Sequence, residues 1–471
     1  MYKELIKPTE ISIKDKKKLL KGSVTRAAIF AGSKVIDVKT EDNETCYFIF
    51  YKDALIYGEK LDKVETGTFI HQAFNEGIIL ESHHPLLKMI IPKSPLTFPN
   101  KNKLFSQLQK QFPLQEVAYI TTTLDAFFTK DQLIEIMNKI YFHYRRNGNY
   151  LKSFQVVQML SQFEPTLKSA KTRLESLDLH SYYQFYNSSN LSLIQKKDPL
   201  FVELHCFKNR FHPEKQLILE DILSQQDHFI ELTLLWLEKV KKLQKAESIE
   251  KYTDIALRFV TMEEWILLLS QATINPFQEL PEAKLCMEEM VKKGNAEQAA
   301  LLLLPFIGDL PNCFNPILSL IWENSDSGFV LSHLDDFITF LQKQPDELKQ
   351  SEEKMFELAI RLLEKHDLKT VSEQLLPIQK IFPHLWVIRK INEMITLVED
   401  PDRMMELGDL YAEFKQFDKA IDCFFWEMEL QPQNPSPVRK ISKMYQYKGM
   451  LNEATTYQRI YEQLKSNQQT G

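Results

Sequence analysis

The chain has 471 residues and a formal net charge of −6 at pH 7, with 44% hydrophobic and 26% charged residues. This length exceeds what one compact core accommodates, so we expect several domains or an extended repeat array. The 12 glycines are too few for an all-β fold rich in tight turns. The modest charge gives no overall case for nucleic-acid binding.

Cysteine usage and the lack of long apolar runs predict a cytoplasmic location. The five cysteines are scattered and form no CxxC pair, which fits reduced thiols better than disulfides or a zinc site. Residues 1–18 have no apolar core, so no signal peptide is expected there. The most apolar run, residues 299–307, is about half the length that spans a bilayer.

Residues 1–34 are locally basic, which permits two interpretations. The segment forms a solvated amphipathic helix and loop, or its cations contact nucleic acid or an acidic partner. We expect the helix and loop, because no aromatic residues are interleaved as stacking platforms for bases. The basic residues are Lys3, Lys7, Lys14, Lys16, Lys17, Lys18, Lys21, Arg26 and Lys34.

Residues 34–61 contain short runs of β-branched and aromatic residues separated by polar pairs, which predicts a three-stranded antiparallel meander. A helix is expected from Thr68 and ends near Gly77. These elements predict a small α+β domain with a short sheet over residues 1–95. Residues 92–103 contain three prolines and no apolar periodicity, so 96–133 is predicted to be a linker followed by the first helices.

Beyond residue 103, apolar residues recur at three- and four-residue spacing, which predicts helices almost throughout. Asp198 before Pro199 and the Thr261–Glu264 capping box mark helix starts. Helices of about 10–18 residues joined by short turns predict a stacked array rather than a globular bundle.

Residues 401–434 carry small and bulky side chains at offsets that allow two short helices to close against each other. Small residues lie where the backbones cross, and aromatic residues fill the space between the helices. This spacing resembles the tetratricopeptide repeat, a helix–turn–helix unit of about 34 residues. Met404 occupies the position of the family's usual Trp, and Glu427 that of a small residue. The residues that carry the resemblance are Leu407, Gly408, Tyr411, Ala420, Phe424 and Pro432.

The same frame recurs at residues 134–167, 280–313 and 435–468, and more weakly at 352–385, where Pro383 fits. The last full copy fits through Tyr445, Gly449 and Ala454. The resemblance therefore predicts a mainly α fold, in which a right-handed superhelical array of helix pairs follows the small α+β domain. A degenerate array would span 134–400, and two C-terminal units would span 401–471.

The sequence contains no motif that predicts catalysis, a cofactor or a metal. The Walker-type phosphate loop, GxGxxG, HExxH and GxSxG patterns are all absent. His83-His84 lies in a turn, and His228 with Glu231 lacks a second pair that would complete a metal site. We therefore expect a protein that is not an enzyme.

The resemblance implies that the first helices of the repeats line a concave groove that binds peptides. Met405 and Asp409 replace the Lys and Asn of the family's carboxylate clamp, so we do not expect binding of a chaperone C-terminus. The aromatic–basic cluster in repeat 134–167 is typical of binding hot spots. The candidate groove residues are Asn138, Phe142, Arg145, Arg146, Met405, Asp409, Glu413, Arg439, Lys443 and Tyr447.

The sequence and the repeat resemblance lead to two hypotheses about function. The first is a non-enzymatic scaffold that binds a partner protein or peptide in the groove. The second is a cytoplasmic regulator whose basic N-terminal module binds nucleic acid or an acidic partner, while the helical array senses a ligand or peptide. The modest net charge makes nucleic acid the less expected partner, and neither the partner's identity nor the oligomeric state follows from the sequence.

Overall fold

The computed structural model describes residues 8–15, 18–92, 95–188, 190–243, 247–342, 347–382 and 384–470. The chain divides into two compact units, residues 1–279 and 280–471. Some residues used in the sequence predictions lie outside the described ranges, namely Lys3, Lys7, Lys16, Lys17 and Pro383.

The described strands of the first unit form one seven-stranded sheet with the order β5-β4-β3-β2-β1-β7, and β6 also pairs with β2. All pairings are antiparallel except that of β1 with β7, in which Ile13 lies opposite Leu96. The strands are β1 (Glu10–Asp15), β2 (Lys18–Phe30), β3 (Ser33–Thr40), β4 (Thr45–Tyr51), β5 (Ala54–Lys60), β6 (Ile78–Glu81) and β7 (Leu96–Thr97).

The predicted meander is present as β3, β4 and β5, but the prediction of a short sheet was wrong. The basic segment predicted as helix and loop forms β1 and β2, and the predicted linker contributes β7. In β1, Ile11 and Ile13 are buried while Lys14 is exposed, so the segment alternates with the two-residue period of a strand. The high density of lysines concealed this alternation in the sequence.

Strand β2 joins the two parts of the sheet. Its first half pairs with β1 and its second half with β6, while β3 runs along the opposite edge. A register shift between Val24 and Arg26 marks a bulge within the β2–β3 pair, the kind of irregularity that bends a strand. Strand β2 thus pairs with three other strands, β1, β3 and β6.

Helices make up most of the rest of the first unit, as the sequence predicted. The first of them begins after Thr68 and ends at the cap Gly77, and Thr261 with Glu264 forms the predicted capping box. The helices are α1 (Phe69–Glu76), α2 (Leu87–Ile90), α3 (Leu104–Gln111), α4 (Leu114–Thr122), α5 (Lys130–Arg146), α6 (Tyr150–Phe163), α7 (Lys168–Leu174), α8 (Leu177–Asn187), α9 (Leu191–Gln195), α10 (Pro199–Lys208), α11 (Pro213–Gln225), α12 (Phe229–Leu243), α13 (Ile249–Ala256), α14 (Met262–Gln271) and α15 (Pro276–Glu279).

The described part of the second unit is helical, with short 3₁₀ turns. The last four helices form two consecutive hairpins, α24 with α25 and α26 with α27. The helices are α16 (Glu282–Lys292), α17 (Ala296–Leu303), α18 (Asn315–Asn324), α19 (Ser327–Ser332), α20 (Leu334–Gln342), α21 (Glu347–Lys365), α22 (Leu368–Ile381), α23 (Trp386–Val398), α24 (Met404–Glu413), α25 (Phe417–Leu430), α26 (Pro435–Tyr447) and α27 (Leu451–Thr470).

Several helix hairpins are closed by the same turn, in which one residue has a left-handed backbone. Gly148, Gly294 and Gly449 have φ angles of 69°, 83° and 73°, and Lys415 has the equivalent role with φ 58°. At Lys415 the N–H donates to the carbonyl of Ala412 (3.1 Å), and the following N–H of Gln416 reaches Tyr411 (2.8 Å). This is the Schellman arrangement, which satisfies the last carbonyls of the first helix.

The first C-terminal hairpin has an apolar core in which its two helices approach closely. A Cβ placed on Gly408 would lie 2.5 Å from the ring of Phe424, so only glycine fits there without a shift. Ala420 and Phe424 are fully buried in a cluster with Ile441 of the next hairpin, and Tyr411 packs against that cluster. Burial of these apolar surfaces therefore joins the first C-terminal hairpin to the second.

Candidate functional site

The candidate groove residues of the second unit lie on α24 and α26, the first helices of the two C-terminal hairpins. On α24, Asp409 and Glu413 are exposed and Met405 packs against the apolar cluster. On α26, Arg439, Lys443 and Tyr447 are exposed, and Tyr447 reaches 67%. The structure thus places these side chains on two neighbouring helices, with Met405 facing inward.

The two acidic groove residues are neutralised by lysines of adjacent helices. Lys440 on α26 donates to both carboxylate oxygens of Asp409 at 2.6 Å. Lys390 on α23 forms an ion pair with Glu413. Both pairs are partly exposed, so each contributes little to stability. The two pairs matter more for recognition, because Asp409 and Glu413 no longer present unpaired negative charge to a partner.

The basic and aromatic residues of α26 remain available. Lys443 has no ion-pair partner among the residues that the structure describes, and Arg439 meets only the ring of Tyr461, 5.9 Å from its centroid. The ring of Tyr447 stacks on Phe417 with centroids 5.5 Å apart and an interplanar angle of 28°. The surface of Arg439, Lys443 and Tyr447, here called the α26 face, therefore combines free positive charge with an oriented aromatic ring.

The earlier candidate face on α5 is partly covered by its own neighbours. Asn138 accepts a 2.6 Å hydrogen bond from Arg173, whose guanidinium also lies 5.0 Å from the ring of Phe142. Arg145 donates to Asp178 at 2.9 Å. Asn138, Phe142 and Arg145 are thus engaged by residues of α7 and α8, which limits their availability to a partner.

The remaining candidate on α5, Arg146, is exposed near the end of the helix. Its Nε donates to the carbonyl of Phe142 at 3.2 Å. Cations near the last carbonyls of a helix interact favourably with its dipole. Arg146 therefore interacts with the end of its own helix.

A cluster of charged residues that sequence reasoning missed lies where the sheet meets the helices of the first unit. The ammonium of Lys34, at the start of β3, lies 2.7 Å from Glu231 of α12 and 3.1 Å from Asp53. Burial alone would lower the pKa of Lys34, but Glu231 and Asp53 outweigh it, so the pKa is raised. This pair is structural, and it removes Glu231 from the metal pair considered with His228.

Glu203 of α10 lies beneath the β2–β3 turn in the same cluster. Burial raises its pKa to about 7, with Lys52 acting against the rise and Glu116 and Glu231 adding to it. Its carboxylate accepts a hydrogen bond from the backbone of Gly32. The neighbouring Ser33 hydroxyl lies 3.0 Å from the Tyr119 hydroxyl. Polar groups of the sheet turns thus find their partners on helices.

The basic N-terminal segment keeps fewer free cations than its sequence suggests. Lys34 is buried, and Arg26 is paired with Asp37 at 3.1 Å and lies over the ring of Phe74. Among the described residues of the segment, Lys14, Lys18 and Lys21 are exposed and have no ion-pair partner, whereas the exposed Arg26 is paired. Three scattered lysines on two strands are a weak electrostatic footprint for nucleic acid.

His84, discounted as a metal ligand from the sequence, has a structural role in its turn. Burial lowers the pKa of His84 to about 4, and its Nδ1 accepts the N–H of Leu86 at 3.2 Å. No group of three or more His, Cys, Asp or Glu suited to a metal occurs among the described residues. In those same ranges, none of the helices has both the length and the apolar character needed to cross a membrane.

Comparison with known proteins gives no relative from which a function can be transferred. Neither a protein-family model nor a curated protein matches the chain. Any inference about function therefore rests on the residues of this chain and their contacts.

Proposed function

We propose that this protein is a non-enzymatic scaffold that binds an acidic segment of a partner protein through the α26 face. The C-terminal hairpins would belong to a right-handed, tetratricopeptide-like array that continues through the preceding helices. Support for this architecture comes from the shared Schellman turns and from the apolar cluster that joins consecutive hairpins.

One observation carries the choice of an acidic partner. Asp409 and Glu413 are already paired within the protein, whereas Arg439 and Lys443 retain their charge for a ligand. Complementary charge sets specificity and association rate, and Arg and Tyr side chains are frequent hot spots in interfaces. Tyr447 supplies an apolar contact beside the two cations, which suits a segment containing Asp or Glu next to an aromatic residue.

The proposal is tested with the full-length chain and labelled peptides of equal length, one rich in Glu and aromatic residues and one rich in Lys. Fluorescence anisotropy is measured at low and at physiological salt. We expect the acidic peptide to bind more tightly at low salt, because screening weakens exposed charge pairs. The double substitution Arg439→Glu with Lys443→Glu should lower its affinity by at least about tenfold.

A matched control reverses one exposed charge on another helix of the same unit. Lys369 lies on α22 and is exposed. Lys369→Glu should leave peptide affinity within about twofold of the unmodified protein, since its charge lies outside the α26 face. Equal affinity for the acidic and the lysine-rich peptide, or full binding by the double variant, would remove the basis for this function.

A further inference from the structure

A cavity of about 330 Å³ lies within the first unit, between the end of β2 and helices α1, α4, α6 and α10. Pockets that bind small molecules typically range from about 300 to 1,000 Å³. This cavity is remote in sequence from the α26 face and independent of the proposed peptide binding.

Aromatic rings and polar side chains share the cavity walls. Phe30 and Phe69 meet edge to face with centroids 5.7 Å apart, and Phe201 stacks on His205 at 5.9 Å. Gln158 and Gln162 of α6 line another wall. Such walls accommodate a flat apolar body that is oriented by a few polar contacts.

The two acidic residues in the walls are already used by the protein. Both oxygens of Asp125 accept the N–H of Phe69, at 2.9 and 3.1 Å. Asp198 is 1% exposed and accepts hydrogen bonds from Gln115, Tyr186 and the N–H of Phe201. These carboxylates therefore cap and connect helices of the protein itself.

Lys208 and His205, at the α10 side of the cavity, have no acidic partner among the described residues. Lys208 makes no ion pair among the described residues, and its ammonium lies 6.0 Å from the centre of the Phe30 ring. The pKa of His205 is lowered by burial and then by Lys215 and Lys208, with no acid opposing them. Lys130 is different, because it pairs with Glu164 at 3.0 Å. The uncompensated charge at this rim is positive.

We propose that the cavity binds a small molecule with a flat aromatic body and one anionic group, a carboxylate or a phosphate. The aromatic body lies between Phe30, Phe69 and Phe201. The anionic group meets Lys208 at the rim and accepts a hydrogen bond from a ring N–H of His205. Both contacts use groups that the protein itself leaves without acidic partners.

Isothermal titration of the full-length protein tests this assignment with four probes. Phenyl phosphate and phenylacetate carry both features, benzyl alcohol lacks the charge, and inorganic phosphate lacks the aromatic body. We expect saturable one-site binding of at least one of the first two and much weaker binding of the other pair. Preference between phenyl phosphate and phenylacetate identifies which anionic group the site accepts.

Two substitutions locate the binding. Lys208→Gln should weaken it by about tenfold through loss of a charge-assisted contact, and Gln158→Trp should abolish it by filling the cavity. Lys110→Gln, on an exposed position of α3, is the control and should bind like the unmodified protein. Circular dichroism and the melting temperature verify that each variant is folded.

Four outcomes would overturn the assignment. These are no binding of either aromatic anion, equal binding of inorganic phosphate, equal binding of benzyl alcohol, and full affinity in Lys208→Gln. Because Lys208→Gln preserves the size of an exposed side chain, it remains informative even if Gln158→Trp fails to fold.

Discussion

Two ion pairs, one in each unit, differ sharply in their exposure to solvent. In the first unit, Lys34 and Glu231 form an ion pair whose side chains are only 7% and 12% exposed. In the second, Asp409 and Lys440 form a pair of similar length whose side chains are 54% and 30% exposed. The Lys34–Glu231 pair is therefore buried where sheet and helices of the first unit meet, whereas the Asp409–Lys440 pair stays partly exposed on the helices of the second.

The difference follows from the backbone that each region must bury. The turn between β2 and β3 brings the Gly32 N–H and the Ser33 hydroxyl to the end of the sheet, where they meet Glu203 of α10 and Tyr119 of α4. Lys34, which follows them, meets Glu231 of α12. A helix satisfies its backbone internally, so helices can pack through apolar side chains alone. Polar groups at a buried end of a sheet need hydrogen-bond partners, and a charged partner there needs a group of opposite charge beside it.

The largest expected effect comes from removing one partner of the buried pair. Glu231→Ala leaves the Lys34 ammonium buried with only the exposed Asp53, which should lower the free energy of unfolding by about 3–5 kcal/mol. Asp409→Ala, the matched change at the exposed pair, should cost less than about 1 kcal/mol. Denaturant titration with hydrogen exchange read on peptides of each unit measures both. Equal losses of unfolding free energy in Glu231→Ala and Asp409→Ala would refute the contrast between the buried and the exposed pair.

The next effect is the contribution of Glu203 to the pH dependence of the stability of the first unit. Glu203 has a pKa of about 7 in the folded protein against 4.5 in the reference state. The folded state therefore holds this proton more tightly, and the free energy of unfolding falls as pH rises from 4.5 to 7 and levels off above 7. The fall is at most roughly 3 kcal/mol.

Comparison with Glu203→Gln isolates this contribution, since glutamine keeps an oxygen acceptor for the Gly32 backbone and does not titrate in this range. Denaturant titrations between pH 4.5 and 8 should show a steeper fall in the unmodified protein. Parallel pH profiles for the two proteins would show that Glu203 does not titrate as described.

Overpacking tests the apolar core of the second unit. Ala420 is fully buried against Phe424 and Ile441, so Ala420→Leu should destabilise this unit by roughly 1–3 kcal/mol. Asp422→Leu, on the exposed side of the same helix, is the control and should change stability by less than about 0.5 kcal/mol. Thermal denaturation measures both, and an unchanged melting temperature for Ala420→Leu would argue against the close helix approach.

The smallest effect concerns the turn residue of the first C-terminal hairpin. Lys415 adopts φ 58°, a conformation that costs a non-glycine residue about 1 kcal/mol, so Lys415→Gly should stabilise the unit by up to that amount. Gly449→Ala should have the opposite sign, since a Cβ there meets no atom within 4 Å and only backbone strain remains. Melting temperatures of the two variants report the signs, and a loss of stability in Lys415→Gly would contradict the turn assignment.

Much of the helical architecture was predictable because its signals are local. The three- and four-residue periodicity, the Thr261–Glu264 capping box and the Gly77 helix end each operate within one or two turns of chain. The meander from Ser33 to Lys60 was predictable for the same reason, since its strands pair with their sequence neighbours.

The candidate site was only partly predictable. The frame of the repeat placed Asp409 and Lys443 on first helices, but it did not show that Asp409 is paired. Lys440 follows Asp409 by 31 residues, close to the repeat length of about 34, so a search for opposite charges at this offset would have found it. Nothing local connects Lys34 with Glu231, which meet only because a sheet turn packs on α12.

By itself the sequence determined that this protein is mainly helical, where several helices begin and end, and which residues lie on the first helices of the C-terminal hairpins. Only the tertiary structure decided the size of the sheet, the burial of Lys34 and Glu203, and which charges on α24 and α26 stay free. Periodicity and capping are properties of a few neighbouring residues, whereas strand pairing and ion pairing depend on partners that folding brings together from distant parts of the chain.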